Sequence, residues 1–331
     1  MTGFEFQHQI FNAIEKLHGR WNWKEHAATV LHISLGALYK KLRGDSHLHL
    51  DELILLKEHY KLSLDSFLQS DVQTIIFSKP NNLVSPITHV DYLNRIKDEL
   101  TKIANLDQVT IYIITNEIPF YLLMQDPVLA FFKLLILMGT DLETSQSNPF
   151  EYNLQELLKD TQAKLKLKES ADLYLQIPST EIWSQTILDH MLYQIRYYIE
   201  SKQLKDEQLI SALFKALKNL VKRIDMLLED GNKNLAMHPS SNINFNLYVH
   251  EFYQLNPCMI VQSNKGEMDC QYHDFANDLM TSNQYFNKHV LYTIKKLIKR
   301  SQKLSGESEK HRVEFINRLF EKINNTEREI E

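Results

Sequence analysis

Three cationic side chains within four residues, Lys40, Lys41 and Arg43, close the stretch "HISLGALYKKLRG", residues 32–44. Their chemistry is hydrogen-bond donation from a fixed positive charge. That suits phosphate oxygens and the O6 and N7 acceptors of guanine. Leu38 and Leu42 stand four residues apart in the same run, so a helix here has one apolar side, with Lys40 and Arg43 opposite. Ser34 is a good N-cap and Gly44 a good C-cap for that helix. Such a helix packs on one side and meets an anion on the other.

Other combinations of reactive residues are sparse. There is no phosphate-binding glycine loop, no CxxC pair, no HExxH and no GxSxG. No catalytic residue and no cofactor is therefore assigned. Asp269, Cys270, His273 and Asp274 lie close together, but on a strand Cys270 and His273 point to opposite faces and share no metal. His47, His49 and His59 do not amount to a metal site either. His190 and the pair His250–Glu251 read as core or surface groups rather than acid–base catalysts. The aromatics Phe120, Tyr121, Phe131, Phe132, Tyr193, Tyr197, Tyr198, Tyr248, Phe252 and Tyr253 read as core first and as the wall of a ligand cavity second. The basic run "IKKLIKRSQK", 294–303, reads first as a solvated helix face and second as a phosphate-contacting patch.

The elements that must position these groups follow from the whole chain. At 331 residues it is long enough for two or more domains. Only 8 Gly and 8 Pro point to long helices and away from a turn-rich sandwich or propeller. A net charge of −5 excludes a polyanion-binding surface over the whole molecule but leaves room for a local basic patch. Cys258 and Cys270 form no disulfide framework, and nothing near the start looks like a signal peptide, so a cytoplasmic location is expected. The most apolar window, Ile118 to Met138, is interrupted by Gln125, Asp126, Pro127 and Lys133. What remains is far short of the ~20 residues of a membrane span and reads as a buried helix.

Residues 4–70 parse as five short helices. Phe4, Phe6, Ile10, Phe11, Ile14 and Leu17 recur at helical steps, with Gly19 as the stop. Ala27, Ala28 and Leu31 give the second helix a small packing face, and His32-Ile33 is the turn before the third. Leu50 to Tyr60 forms the fourth, and Ser63 caps a fifth over 63–68.

Residues 26–68 resemble the lambda-repressor/Cro-like helix-turn-helix DNA-binding domains. The matching positions are Ala28, the pair Ile33-Ser34, Leu38, the pair Arg43-Gly44 and the ending Leu62 to Leu68. The resemblance covers about a fifth of the chain. It implies that Ser34, Leu35, Gly36 and Lys40 meet base edges in the major groove of double-stranded DNA, with Tyr39 in the same set. Lys41 and Arg43 would then meet backbone phosphates. His32 stands where the family prefers Gly, which calls for left-handed backbone. Leu35 and Gly36 replace hydrogen-bonding residues of many members, so Leu35 is limited to a thymine methyl. Eight Lys and Arg are matched by eight Asp and Glu over 1–70, where seven of the 14 histidines also lie.

Further on, "VQTIIF" (72–77) and "VTIYIIT" (109–115) read as strands. Helices are expected at 89–106, 118–138, 151–168, 179–202, 205–230, 282–303 and 308–328, with antiparallel strands between 243 and 275. Ile210, Leu213, Leu217, Leu220, Ile224 and Leu227 form a heptad-like seam, read first as a buried helix and second as a subunit interface.

The expected fold class is mainly α with a smaller β component (α+β). A five-helix helix-turn-helix domain, 1–70, precedes a larger helical region, 71–331, with a small mixed or antiparallel sheet. The expected function is a sequence-specific transcription regulator that binds double-stranded DNA as a homodimer, with a small-molecule effector left open. The alternatives are an adaptor whose helix-turn-helix binds protein and, last, an enzyme with a helix-turn-helix appendage.

Overall fold

In the computed structural model the chain divides into two compact units, Met1–Ile76 and Phe77–Glu331. The structure describes residues 2–18, 22–62, 64–67, 75–78, 88–138, 149–233, 243–251, 256–264, 268–274, 277–306 and 309–330. The fold is mainly α with a smaller β component, the N-terminal helices preceding the sheet region.

The N-terminal unit is helical: α1 (Gly3–His18), α2 (Trp23–Val30), α3 (Leu35–Arg43), α4 (Leu50–Tyr60) and α5 (Leu64–Phe67). Its core gathers Ile10, Phe11 and Ile14 of α1, Trp23, Ala27 and Ala28 of α2, Leu31, Leu38 of α3, and Leu56 and Tyr60 of α4. The two alanines keep α2 slim where α1, α3 and α4 converge on it. The expected caps Gly19 and Ser63 lie outside the described residues. So do residues 72–74 of the expected strand "VQTIIF"; its described part, Ile75–Phe77, is not a strand, and Ser78 makes only an isolated bridge to Met280.

The C-terminal unit begins with α6 (His89–Ala104) and β1 (Thr110–Thr115), followed by α7 (Phe120–Leu123), α8 (Pro127–Met138), α9 (Pro149–Leu157) and α10 (Thr161–Leu175). Next come β2 (Ser179–Ser184), α11 (Asp189–Glu200), α12 (Glu207–Asp230), β3 (Phe245–His250), β4 (Cys258–Gln262), β5 (Met268–Asp274) and β6 (Asn277–Thr281). The order closes with α13 (Gln284–Ile298), β7 (Gln302–Lys303) and α14 (Glu309–Ile330). Among the described residues the strands form one mixed sheet, β6-β5-β4-β1-β2-β3-β7. β1, β2 and β3 run parallel, and the others join antiparallel.

Alternation along the strands feeds two cores. Ile111, Ile113, Trp183 and Leu247 face a large helical layer. Ile114, Ile182 and Ile260 face α13, which presents Val290, Leu291 and Ile294. Under the helical layer the Glu181 carboxyl accepts from Tyr174, from Ser179 Oγ at 2.9 Å and from Trp183 Nε1 at 2.9 Å.

Two expectations need correction. The helix expected over 179–202 begins as the parallel strand β2, and only 189–200 is helical. The region 243–275 is not wholly antiparallel, because β3 pairs in parallel with β2. The heptad-like seam lies inside the chain, in keeping with its first reading as a buried helix. Leu213, Leu217, Leu220, Ile224 and Leu227 of α12 are buried, and α12 packs on α14, α8 and β3. Arg312 of α14 reaches Asp225 of α12 at 2.5 Å. Helix α14 packs in turn on α12 and α11. Among the described residues no helix is long and apolar enough to cross a membrane.

Candidate functional site

Helix α3 is held at both ends by its own sequence. Ser34 Oγ accepts from the Ala37 N–H at 3.2 Å. Gly44 ends the helix at φ 86°, and its backbone N–H is bonded to Lys41 O at 3.1 Å. A Cβ at Gly44 would lie 2.6 Å from the Phe4 ring, so space and backbone both require glycine here. The turn before α3 places His32 at φ 54°, the left-handed backbone that its position calls for.

The side chains of α3 divide sharply. Leu38 is fully buried and Leu42 half-buried against the helical core. Ser34, Leu35, Gly36, Tyr39, Lys40 and Arg43 are all exposed. Helical spacing sets Leu35, Gly36, Tyr39, Lys40 and Arg43 along one side, with Ser34 at the N-cap. Lys41 does not join them. Its side chain is buried, and its ammonium donates to Glu52 Oε2 at 2.9 Å and to His47 O at 2.8 Å. The phosphate contact expected of Lys41 is therefore replaced by an internal tie between α3 and α4. Burial raises the Glu52 carboxyl, but donation from Lys41 and from the His49 N–H outweighs it and leaves Glu52 below its ordinary range. Arg43 is exposed and makes a surface pair with Asp45, at 3.0 Å. Among the described residues no carboxylate pairs with Lys40.

Two supports are invisible to a reading of α3 alone. Gln7 of α1 is buried. Its amide donates to Lys41 O at 2.5 Å and to Ser46 O at 3.1 Å, and it accepts from the Leu48 N–H at 2.6 Å. One side chain thereby fixes the loop that leaves α3. Lys24 of α2 lies 5.3 Å from the Tyr39 ring centroid and 5.7 Å from that of Trp23. It adds a cation beside the exposed side of α3. The signal for Gln7 is a polar residue on the apolar stripe of the first helix.

The C-terminal unit holds a cavity of about 350 Å³ at the carboxyl end of β1. Tyr92 and Ile96 of α6, Ile118, Phe120 and Tyr121 around α7, and Leu137 of α8 give it a largely apolar wall. Arg95, Glu99, Asn116, Glu117, Lys133 and His190 are its polar groups. Lys133 is buried, pairs with Glu117 and donates to Gln194 Oε1 at 3.1 Å. The other Glu117 oxygen lies 3.7 Å from His190 Nδ1. Thr115 Oγ1 holds the Glu117 backbone from both sides, accepting at 3.1 Å and donating at 2.6 Å. A pocket with apolar walls and a few fixed polar groups suits a small amphipathic molecule.

Of the ten aromatics weighed as cavity lining, Phe120 and Tyr121 line it. Phe131 and Phe132 are core, Tyr198 stacks on Phe150 at 3.7 Å, and Tyr193 and Tyr197 are exposed. Phe252 and Tyr253 lie outside the described residues. His190 is a cavity group, whereas His250 is buried with Nδ1 3.0 Å from Ser301 Oγ. Among the described residues no group of three His, Cys, Asp or Glu side chains is placed to hold a metal ion. Comparison with the known protein families, with curated proteins and with solved structures finds no match for this chain.

Proposed function

We propose that the chain is a sequence-specific, DNA-binding transcription regulator of the cytoplasm. Helix α3 enters the major groove of double-stranded DNA, and the Phe77–Glu331 unit serves dimerisation and ligand sensing. One observation carries this reading. Leu35, Gly36, Tyr39, Lys40 and Arg43 are exposed along one side of a helix capped by the exposed Ser34, and its other side is fixed by Leu38, Lys41 and Leu42. Ser34 and Lys40 are donors for base edges, Leu35 is an apolar contact for a thymine methyl, and Arg43 is a phosphate donor. The cavity beside Lys133 and His190 is the site for an effector.

Selection of bound sequences from random duplex DNA at stated salt tests the reading. An enriched site whose binding is abolished by Lys40→Ala with Arg43→Ala, at unchanged helicity and Tm, supports it. Absence of any enriched site refutes it. A second reading, a protein-binding adaptor, is favoured by Leu50, Ile54 and Leu55 of α4, which are exposed apolar residues of the same unit as Leu35 and Tyr39. The same selection separates the two.

Dimerisation gives the reading its reach, since one small unit covers a half-site only. With α12 and α14 occupied within the chain, the subunit contact uses other surface. Sedimentation equilibrium of the full chain against the N-terminal unit, which has its own core, measures it.

A further inference from the structure

Residues 284–303 carry Lys288, Lys295, Lys296, Lys299, Arg300 and Lys303 and contain no Asp or Glu, in a chain whose net charge is −5. All six are exposed. Among the residues whose side chains are described, no carboxylate lies within ion-pairing distance of any of them. Two tyrosines share this surface. Tyr285 is 74% and Tyr292 56% exposed, seven residues and so about two helical turns apart. Lys296 Nζ lies 4.4 Å from the Tyr292 ring centroid. The inner side of α13 is fixed independently. Val290, Leu291 and Ile294 pack on the sheet, and Asn287 Nδ2 donates to Thr281 O at 3.0 Å.

We propose that the exposed face of α13 binds the phosphate backbone of duplex DNA, a second nucleic-acid surface in addition to α3. It rests on the DNA-binding reading for its biological sense but not for its geometry. A duplex carries one negative charge per ~1.7 Å of axis with both strands counted, and Lys288 to Lys299 span roughly 16 Å of helix, so each of the four lysines on that span has a phosphate within reach. Lysines on flexible stems and exposed tyrosine hydroxyls are phosphate donors with no demand on base sequence. A bilayer fits less well, because the apolar side of α13 is in the core and leaves only two tyrosines to insert. Single strands lie in grooves where bases stack, and α13 offers a convex rod.

The test is fluorescence anisotropy of the full chain on random-sequence duplex between about 50 and 200 mM salt. The variant carries Lys288→Gln, Lys295→Gln, Lys296→Gln and Lys299→Gln. A control carries Lys168→Gln, Lys205→Gln, Lys215→Gln and Lys222→Gln, four exposed lysines elsewhere in the same unit, for the same change in net charge. The slope of log K against log salt should flatten by about 0.9 for each phosphate no longer neutralised, up to about 3.6, in the α13 variant alone. Arginine at the same four positions should restore it. An α13 variant indistinguishable from the control overturns the proposal. So does tighter binding to a single strand of equal length, or to phosphatidylserine-containing vesicles, than to the duplex. The two DNA surfaces fail separately. Lys40→Ala with Arg43→Ala removes site preference and leaves the α13 slope, whereas the α13 variant keeps site preference.

Discussion

The stability of the C-terminal unit should rise with pH above neutrality, and one buried lysine sets the amount. Lys233 is 1% exposed, with Nζ donating to Ile177 O at 2.9 Å and lying 3.4 Å from the Tyr174 ring centroid. Burial pushes this ammonium down to about 7, against the opposing pull of Glu181. In the unfolded chain a lysine titrates near 10.4. Between those values the unfolded state holds one proton more than the folded state, so stability climbs with pH. Below the folded value both states are protonated, and the full cost of a buried cation weighs on the fold. At about 1.4 kcal/mol per unit, the gain from about pH 7.5 to about pH 9.5 is roughly 2 to 3 kcal/mol. Tyr174 is raised well above the ordinary range by burial and then by the Glu181 charge, and its opposing effect sets in only as pH passes the unfolded tyrosine value of about 10, above this window. Urea unfolding at the two pH values, at fixed ionic strength, measures the gain. Trp183 is buried in this unit, so replacing Trp21 and Trp23 with Phe leaves it as the reporter. Lys233→Met should remove most of the pH dependence. A Met variant that keeps the wild-type gain would refute the assignment.

Three further outcomes concern the N-terminal unit. Gly44→Ala should lower its stability by about 1–3 kcal/mol in thermal melts, because an L side chain at φ 86° is strained and its Cβ strikes the Phe4 ring. Lys41→Ala should cost about 2–4 kcal/mol by leaving Glu52 without its ammonium, whereas Lys40→Ala should leave stability within about 0.5 kcal/mol of wild type. Equal effects at the two positions would contradict the inward placement of Lys41. Glu52 lies below its ordinary value, so its contribution is present above that value and is lost as pH falls through the depressed one. Acid titration of Glu52→Gln should therefore show a shallower loss of stability than wild type.

What is legible in the sequence is local. Ser34 and Gly44 mark the two ends of α3 by chemistry that acts within three residues, and α3 runs between them. The apolar period of α12 spans many turns, and the helix follows it. The inward turn of Lys41 is not legible, because its partners lie elsewhere. Glu52 is 11 residues away, and the Gln7 amide that grips the Lys41 carbonyl is 34 away. The segment "STEIWS" resembles a helix start for another reason. It is buried on both faces between two parallel neighbours, so the alternation that marks a half-exposed strand is missing. The cavity is hidden in the same way. Lys133 looks like a flaw in an apolar helix until Glu117 and Gln194, 16 and 61 residues away, are brought to it.

The two DNA surfaces proposed above would divide affinity from specificity, and magnitudes say why both would be needed. A good base contact discriminates by ~1–3 kcal/mol, and α3 offers Lys40 with a thymine-methyl contact from Leu35. Two copies on a symmetric site double that sum, toward the ~4–10 kcal/mol that separates specific from non-specific binding. Sequence-dependent deformation of the duplex supplies any remainder. Affinity is a different shortfall. The N-terminal residues 1–70 balance eight cations against eight carboxylates, and Lys41 is turned inward, so this unit neutralises few phosphates. In the proposal, α13 and the residues that follow it to Lys303 supply six exposed cations and read no base. It therefore tightens specific and non-specific complexes by the same factor. The ratio of the two dissociation constants should stay constant when the α13 lysines become glutamine, while both constants weaken by at least about tenfold at about 100 mM salt. A ratio that falls with them would mean that α13 reads sequence, and would overturn this division of labour.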